Sequence, residues 1–160
     1  MAEKKNKNLF LWEQVETTDP EFTTKVNQRG GFTAIGAQYQ IKNATEVFGA
    51  FGCGFGVKDE KYTPILNDTL IVYTATFFYK YKDEAGDVLG EFPISSSIKV
   101  MMGNRVDDDC IKKVQTDALT KGLSKLGFNA DVFMGRFDGN KYVDATGGAP
   151  TSQDSKEEWI

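Results

Sequence analysis

LIVYTATFFYKY, residues 70–81, decides the fold, together with its return run VLGEFPISSSIKVM, residues 88–101. Both are dense in β-branched and aromatic residues, and both alternate with period two. One face of the first run carries Ile71, Tyr73, Ala75, Phe77 and Tyr79; the other carries Leu70, Val72, Thr74, Thr76 and Phe78. The return run alternates through Val88, Gly90, Phe92, Ile94, Ser96, Ile98 and Val100. Between them KDEAGD, residues 82–87, is a polar turn containing Gly86. The pattern predicts a long β-hairpin at the centre of an antiparallel sheet. Pro93, which cannot donate to a ladder, marks an edge or a bulge.

Downstream of the hairpin lies DDDCIKKVQTDALTKGLSKLG, residues 107–127. Ile111, Val114, Ala118, Gly122 and Leu126 recur at helical spacing, and Leu119 and Leu123 widen the stripe. A helix over Cys110–Leu126 is expected, with an aspartate of 107–109 capping its start and Gly127 ending it. Upstream, Ala37, Ile41, Ala44 and Phe48 define a second amphipathic helix that Gly49 closes. FGCGFGV, residues 51–57, follows. Its glycines could cradle a phosphate, but the spacing is not GxGxxG and no Lys-Ser/Thr pair follows, so a bend into a strand is the plainer explanation. A short strand is expected at Phe32–Ile35, after the glycine pair of RGGFTAI, residues 29–35. Asp19-Pro20 has the form of an N-cap and first helical position, predicting a short helix with Phe22 and Val26 on one face.

These elements make an α+β protein: an antiparallel sheet with a long hairpin packed on a C-terminal core helix. Three segments are expected: a flexible N-terminus over 1–8, a folded domain over 9–143, and a disordered acidic tail over 144–160. No internal repeat is visible.

The chain has 160 residues, 40% hydrophobic and 12% aromatic, enough for a substantial core. Net charge is −4, which taken alone argues against a nucleic-acid binder. The charge is uneven, however. Cys110–Leu126 holds Lys112, Lys113, Lys121 and Lys125 against the single acid Asp117, while the last ten residues carry Asp154, Glu157 and Glu158 against Lys156. The absence of histidine excludes Ser-His-Asp, Cys-His and HExxH chemistry. Cys53 and Cys110 form no CxxC, so no zinc site is expected and both read as reduced thiols. The longest apolar run, near 70–78, is too short to span a membrane.

Three groups of residues could carry function. Lys121 and Lys125, neighbours on one helix surface, with Lys112, Lys113, Thr120 and Ser124, suit a phosphate backbone; a plain solvated face explains the same lysines. Asp107-Asp108-Asp109, with Asp117, Asp131 or Asp138, could hold Mg²⁺ as in a nuclease; capping explains the run equally well. Among the aromatics Phe51, Phe55, Tyr62, Tyr79 and Tyr81, most belong to a core. Tyr79 and Tyr81, interleaved with Lys80 and Lys82 near the hairpin tip, are the best exposed candidates to stack on bases.

The order of elements, with RGGFTAI at 29–35, YQI at 39–41 and ATEVFG at 44–49, and TDALTKGLSKLGF at 116–128, resembles the single-strand annealing proteins of recombination, in the superfamily of the eukaryotic mediator Rad-fifty-two. Phage-encoded members are the most similar, over about Trp12 to Tyr142. The resemblance implies a β-β-β-α core, subunits side by side in a ring or arc, and single-stranded DNA in a basic outer groove. It matches Lys121 to a family basic position. Two further basic positions fall on Thr120 and Ser124, with Lys125 and Lys112 nearby, and a family arginine falls near Tyr39, one turn from Lys42. The implied activity is ATP-independent annealing of complementary strands by a homo-oligomer, with no catalysis and no cofactor, in the bacterial cytoplasm. The expected DNA contacts are Lys121 and Lys125, helped by Lys112, Lys113 and Lys42, with a hairpin lip of Lys80, Lys82 and Tyr79. The tail, ending in Glu157-Glu158-Trp159-Ile160, would dock a single-strand-binding protein or phage exonuclease, compete with DNA, or merely solubilise. A passive DNA coat and a Mg²⁺ nuclease are the alternatives.

Overall fold

The computed structural model describes residues 4–27 and 31–135. The acidic tail, Tyr142, Asp138 and the Arg29-Gly30 pair therefore lie outside the described residues. In chain order the elements are a 3₁₀ turn (Lys7–Leu9), α1 (Phe10–Val15), a second 3₁₀ turn (Pro20–Phe22), β1 (Thr23–Val26), β2 (Phe32–Ile35), α2 (Ala37–Phe48), β3 (Phe55–Ile65), β4 (Leu70–Asp83), β5 (Gly86–Lys99), β6 (Met101–Met102), β7 (Arg105–Val106), α3 (Cys110–Lys125) and α4 (Ala130–Phe133). They fall into two compact units, Gln40–Leu126 and the remainder.

In the larger unit, β3, β4 and β5 form one antiparallel sheet with β4 in the middle. The hairpin closes at the Asp83↔Gly86 pair, where Gly86 takes φ 126°, a conformation glycine adopts without steric cost. β5 is an edge strand, which is why Pro93 is tolerated in it. The cross-strand pairs Tyr73↔Ser96, Ala75↔Ile94 and Phe77↔Phe92 set the inner face. Tyr73, Ala75, Phe77 and Ile94 are buried there beneath α3. Each fully buried large side chain contributes about 2 kcal/mol of transfer free energy. The outer face, through Thr74, Lys80, Ser95 and Ser97, is solvated.

α3 buries Cys110, Val114, Ala118, Leu119, Gly122 and Leu123. Ile111, expected on this stripe, is 39% exposed; Cys110 takes the inward place, four residues before Val114. Gly122 is the close approach: a Cβ there would lie 3.0 Å from Ile94 Cγ2. The aspartate run does not cap through its last member. Asp107 turns inward, accepting the Asp109 N–H at 3.1 Å and pairing with Lys113 Nζ at 2.8 Å. The small hairpin β6–β7, folded around Gly103 at φ 62°, has no periodicity long enough to predict it.

The glycine-rich stretch behaves as a bend. Gly49 ends α2 at φ 102°, and the chain doubles back so tightly that a Cβ on Gly54 would sit 1.8 Å from Phe48 O. β3 then contains a bulge. Lys58 pairs with Thr76 but Lys61 with Thr74, so Asp59 and Glu60 together face Ala75, with Asp59 at φ 54°.

In the second unit the Asp19-Pro20 signal works, but briefly. Asp19 accepts the Glu21 N–H at 3.0 Å and the turn ends at Phe22. The expected helix then gives way to β1, because β-branched Thr23, Thr24 and Val26 pair with Ile35, Ala34 and Phe32 of β2. Phe22 instead stacks on Tyr39, centroids 4.4 Å apart. The chain after α3 is tied into this unit by Asn129. Its Nδ2 donates to Thr18 Oγ1 at 2.8 Å, and Thr18 Oγ1 donates to Asp131 at 2.5 Å.

Candidate nucleic-acid interface

Three contacts fix how α3 lies on the sheet: Asp117 with Ser96, Gly122 against Ile94, and Lys125 over Phe92. The helix numbers rise as the strand numbers fall, so α3 runs antiparallel to β5. Residues 117, 121 and 125 are one turn apart and share a stripe. That stripe faces the open edge of the sheet.

Lys121 Nζ lies 2.7 Å from Asp117 Oδ2, and the Ser96 hydroxyl donates to the same carboxylate. Lys121 remains 64% exposed, so the pair is a screened one. Lys125 Nζ sits 5.9 Å from the centroid of half-buried Phe92, a cation–π distance. Two ammonium groups and an aromatic ring thus stand together along one rim. Thr120 and Ser124 lie on the same helix, but their hydroxyls donate back to the carbonyls of Asp117 at 3.1 Å and Lys121 at 2.7 Å. Their protons are engaged, which leaves them as acceptors, a poor match for phosphate oxygens.

The other expected residues are dispersed. Lys112 precedes Lys121 by nine residues, about two and a half turns, and so points from the opposite side of α3. Lys113 is held by Asp107, and Lys42 is exposed on α2. Tyr79, Lys80 and Lys82 do not form one lip. Period two sends Tyr79 and Tyr81 to the inner face and Lys80 and Lys82 to the outer. Both tyrosines, expected to be exposed, are half-buried. Their rings stack parallel at 6.2 Å and tilt against Phe48 at the end of α2. Tyr79 also lies across Gly90, where a Cβ would come within 2.3 Å of its ring. Burial pushes the Tyr81 hydroxyl up from its ordinary range, with help from Tyr79 and Asp83.

Lys80 and Lys82 have companions that the sequence did not reveal. Lys58 reaches the outer face by ordinary alternation, the bulge brings Lys61 there too, and Lys99 joins them opposite Leu70. The Asp117 partner of Lys121 was visible as an i,i+4 pair; Phe92 and Ser96 were not, since they depend on how α3 lies.

Asp107 pairs with Lys113, and among the described residues no group of three His, Cys, Asp or Glu side chains is placed to hold a metal ion. No helix among them is long and apolar enough to cross a membrane.

Burial raises the Asp117 pKa, but hydrogen bonds from Lys121 and Ser96 outweigh it, so the carboxyl ends below its ordinary value. A depressed folded pKa contributes stability that is fully present above the unfolded value, about 3.9, and is lost as pH falls through the folded one. The stability difference between wild type and Asp117→Asn is therefore expected to persist at pH 6 and to shrink below about pH 4. Urea unfolding midpoints at pH 6 and pH 3 check this.

No protein-family model matches this chain. No curated protein matches it either.

Proposed function

We propose that this chain binds single-stranded DNA through α3 and, as a homo-oligomer, anneals complementary strands without ATP. The observation that carries the proposal is the row of Lys121 and Lys125 along the open rim of β5, on the helix that follows the three antiparallel strands after the short β6–β7 hairpin. The β-β-β-α order is the one that the resemblance to the annealing proteins implies. Lysines one turn apart suit successive phosphates, and contacts to the backbone leave base edges free for a second strand to test. Each copy offers few cations, so affinity would come from repetition along an assembly. By the same resemblance the setting would be a phage protein in a bacterial host, with the tail engaging a single-strand-binding protein or exonuclease.

Replacing both Lys121 and Lys125 by alanine tests the site. The two lysines are solvent-facing, so the fold should be kept, and loss of the screened pair with Asp117 should lower stability by no more than about 1 kcal/mol. Oligonucleotide binding should weaken, and the slope of log K against log salt should become shallower by about 1.4, from two contacts at about 0.7 each on single strands. An unchanged slope means that these lysines do not meet phosphates. A complementary-oligonucleotide assay separates annealing from passive coating, since a coat slows pairing.

A further inference from the structure

The outer face of the sheet contains a cavity of about 440 Å³, beside the start of β3 and the tip half of the β4–β5 hairpin. Its volume is that of a small-ligand site, but it is an open depression that would cover one side of a ligand and leave the rest in solvent. Its side-chain walls are Cys53, Lys58, Phe78, Lys80, Leu89 and Glu91. A glycine seats the Phe78 ring. Gly56 stands opposite Phe78, and a Cβ there would meet the Phe78 ring at 3.1 Å. The ring thus lies over a strand position that has no side chain.

The chemistry of the walls is specific. Phe78 is half-buried and offers an aromatic floor. Leu89 is 79% exposed, an apolar side chain held in water at the rim beside its cross-strand partner Lys80. Lys58 pairs with Glu91 at 2.6 Å, both about half exposed. Lys58 and Lys80 against Glu91 leave the rim net positive. An aromatic floor, an apolar wall and a cationic rim suit a flat ring tethered to phosphates.

Building on the assignment of single-stranded DNA as ligand, we infer that this cavity takes one unstacked base of a bound strand, stacked on Phe78, with its flanking phosphates on Lys58 and Lys80. The contact depends on the base, whereas the Lys121–Lys125 row depends only on the backbone. The two lie on opposite faces of the sheet, so one strand would wrap the β5 edge or two strands would use the two faces.

The test compares an oligothymidylate with an abasic strand of equal length and charge, using the full chain. Wild type should bind the base-bearing strand about tenfold more tightly, the scale of one base–aromatic stack. Phe78→Ala should erase that preference, while the Lys121→Ala, Lys125→Ala double variant should weaken both strands alike. A second readout needs no substitution. Cys53 is exposed and Cys110 buried, so iodoacetamide should modify Cys53 first. The base-bearing strand should slow this alkylation and the abasic strand should not. If wild type binds both strands equally, or Phe78→Ala keeps the preference and neither strand slows alkylation, the cavity assignment is overturned while strand binding stands. If wild type binds neither strand, the proposed function falls and this inference with it.

Discussion

Gly54→Ala is expected to destabilise the protein by about 3 kcal/mol or more, at the upper end of overpacking costs. The new Cβ would meet Phe48 O at 1.8 Å, Phe48 C at 2.4 Å and Gly49 Cα at 2.8 Å. All three are backbone atoms, so no rotamer change relieves the contact. The join between α2 and β3 would have to open. That opening would strain the hydrogen bond from the Lys80 N–H to Gly54 O, now 2.9 Å, which ties the join to β4. Gly52→Ala is the control. A Cβ there meets nothing within 4 Å, and only the left-handed φ of 88° resists it, at a cost of about 1–2 kcal/mol. Urea midpoints of the two variants should differ clearly. Equal midpoints would show that the close approach at Gly54 relaxes easily.

Phe77→Ala should cost about 3–5 kcal/mol, the usual range for deleting a fully buried phenylalanine. Phe77 has no exposed surface and its ring meets Phe92 at 5.2 Å, Tyr79 at 5.9 Å and Phe55 at 6.4 Å. Total stability of a domain is about 5–15 kcal/mol, so little would remain. Phe77→Leu, which keeps most of the volume, should cost about 1.5 kcal/mol or less. The cavity would open directly beneath Gly122, whose virtual Cβ lies 3.8 Å from the Phe77 ring. Near-UV circular dichroism should fall with the Ala variant, and the oligonucleotide binding proposed for α3 should weaken with it. Retained tertiary signal and an unchanged midpoint would contradict this account of the core.

The β4–β5 hairpin was legible because both strands alternate for fourteen residues, longer than chance easily supplies. α3 and α2 were legible for the same kind of reason, at helical period. β1 was not: four residues after a good N-cap look helical until β2 is there to pair with them. β3 was legible only at its glycine-marked start, since Asp59–Ile65 are exposed and owe their place to β4. For the candidate site, the adjacency of Lys121 and Lys125 follows from spacing alone. The half-turn offset of Lys112 follows as well, from 100° per residue. That Lys125 meets Phe92, and that Lys80 and Lys82 leave on the face away from α3, depends on which side of the hairpin the helix covers. Local sequence does not encode that choice.

The bulge in β3 has a consequence for alignment. Two residues facing one, with Asp59 in a left-handed conformation, divide the strand into segments that share a face despite a spacing of three, from Lys58 to Lys61. Glu60 and Tyr62 thereby reach the inner side, where Tyr73 donates to Glu60 at 2.6 Å and Gln115 hydrogen-bonds Tyr62. A slip of one residue beyond the bulge would turn Tyr62 into solvent and press Lys61 against Tyr73. The inward turn of Glu60 and Tyr62 therefore rests on a single irregular dipeptide. Beyond Asp59 the face that this exposed strand presents is set by its defect, not by its regularity.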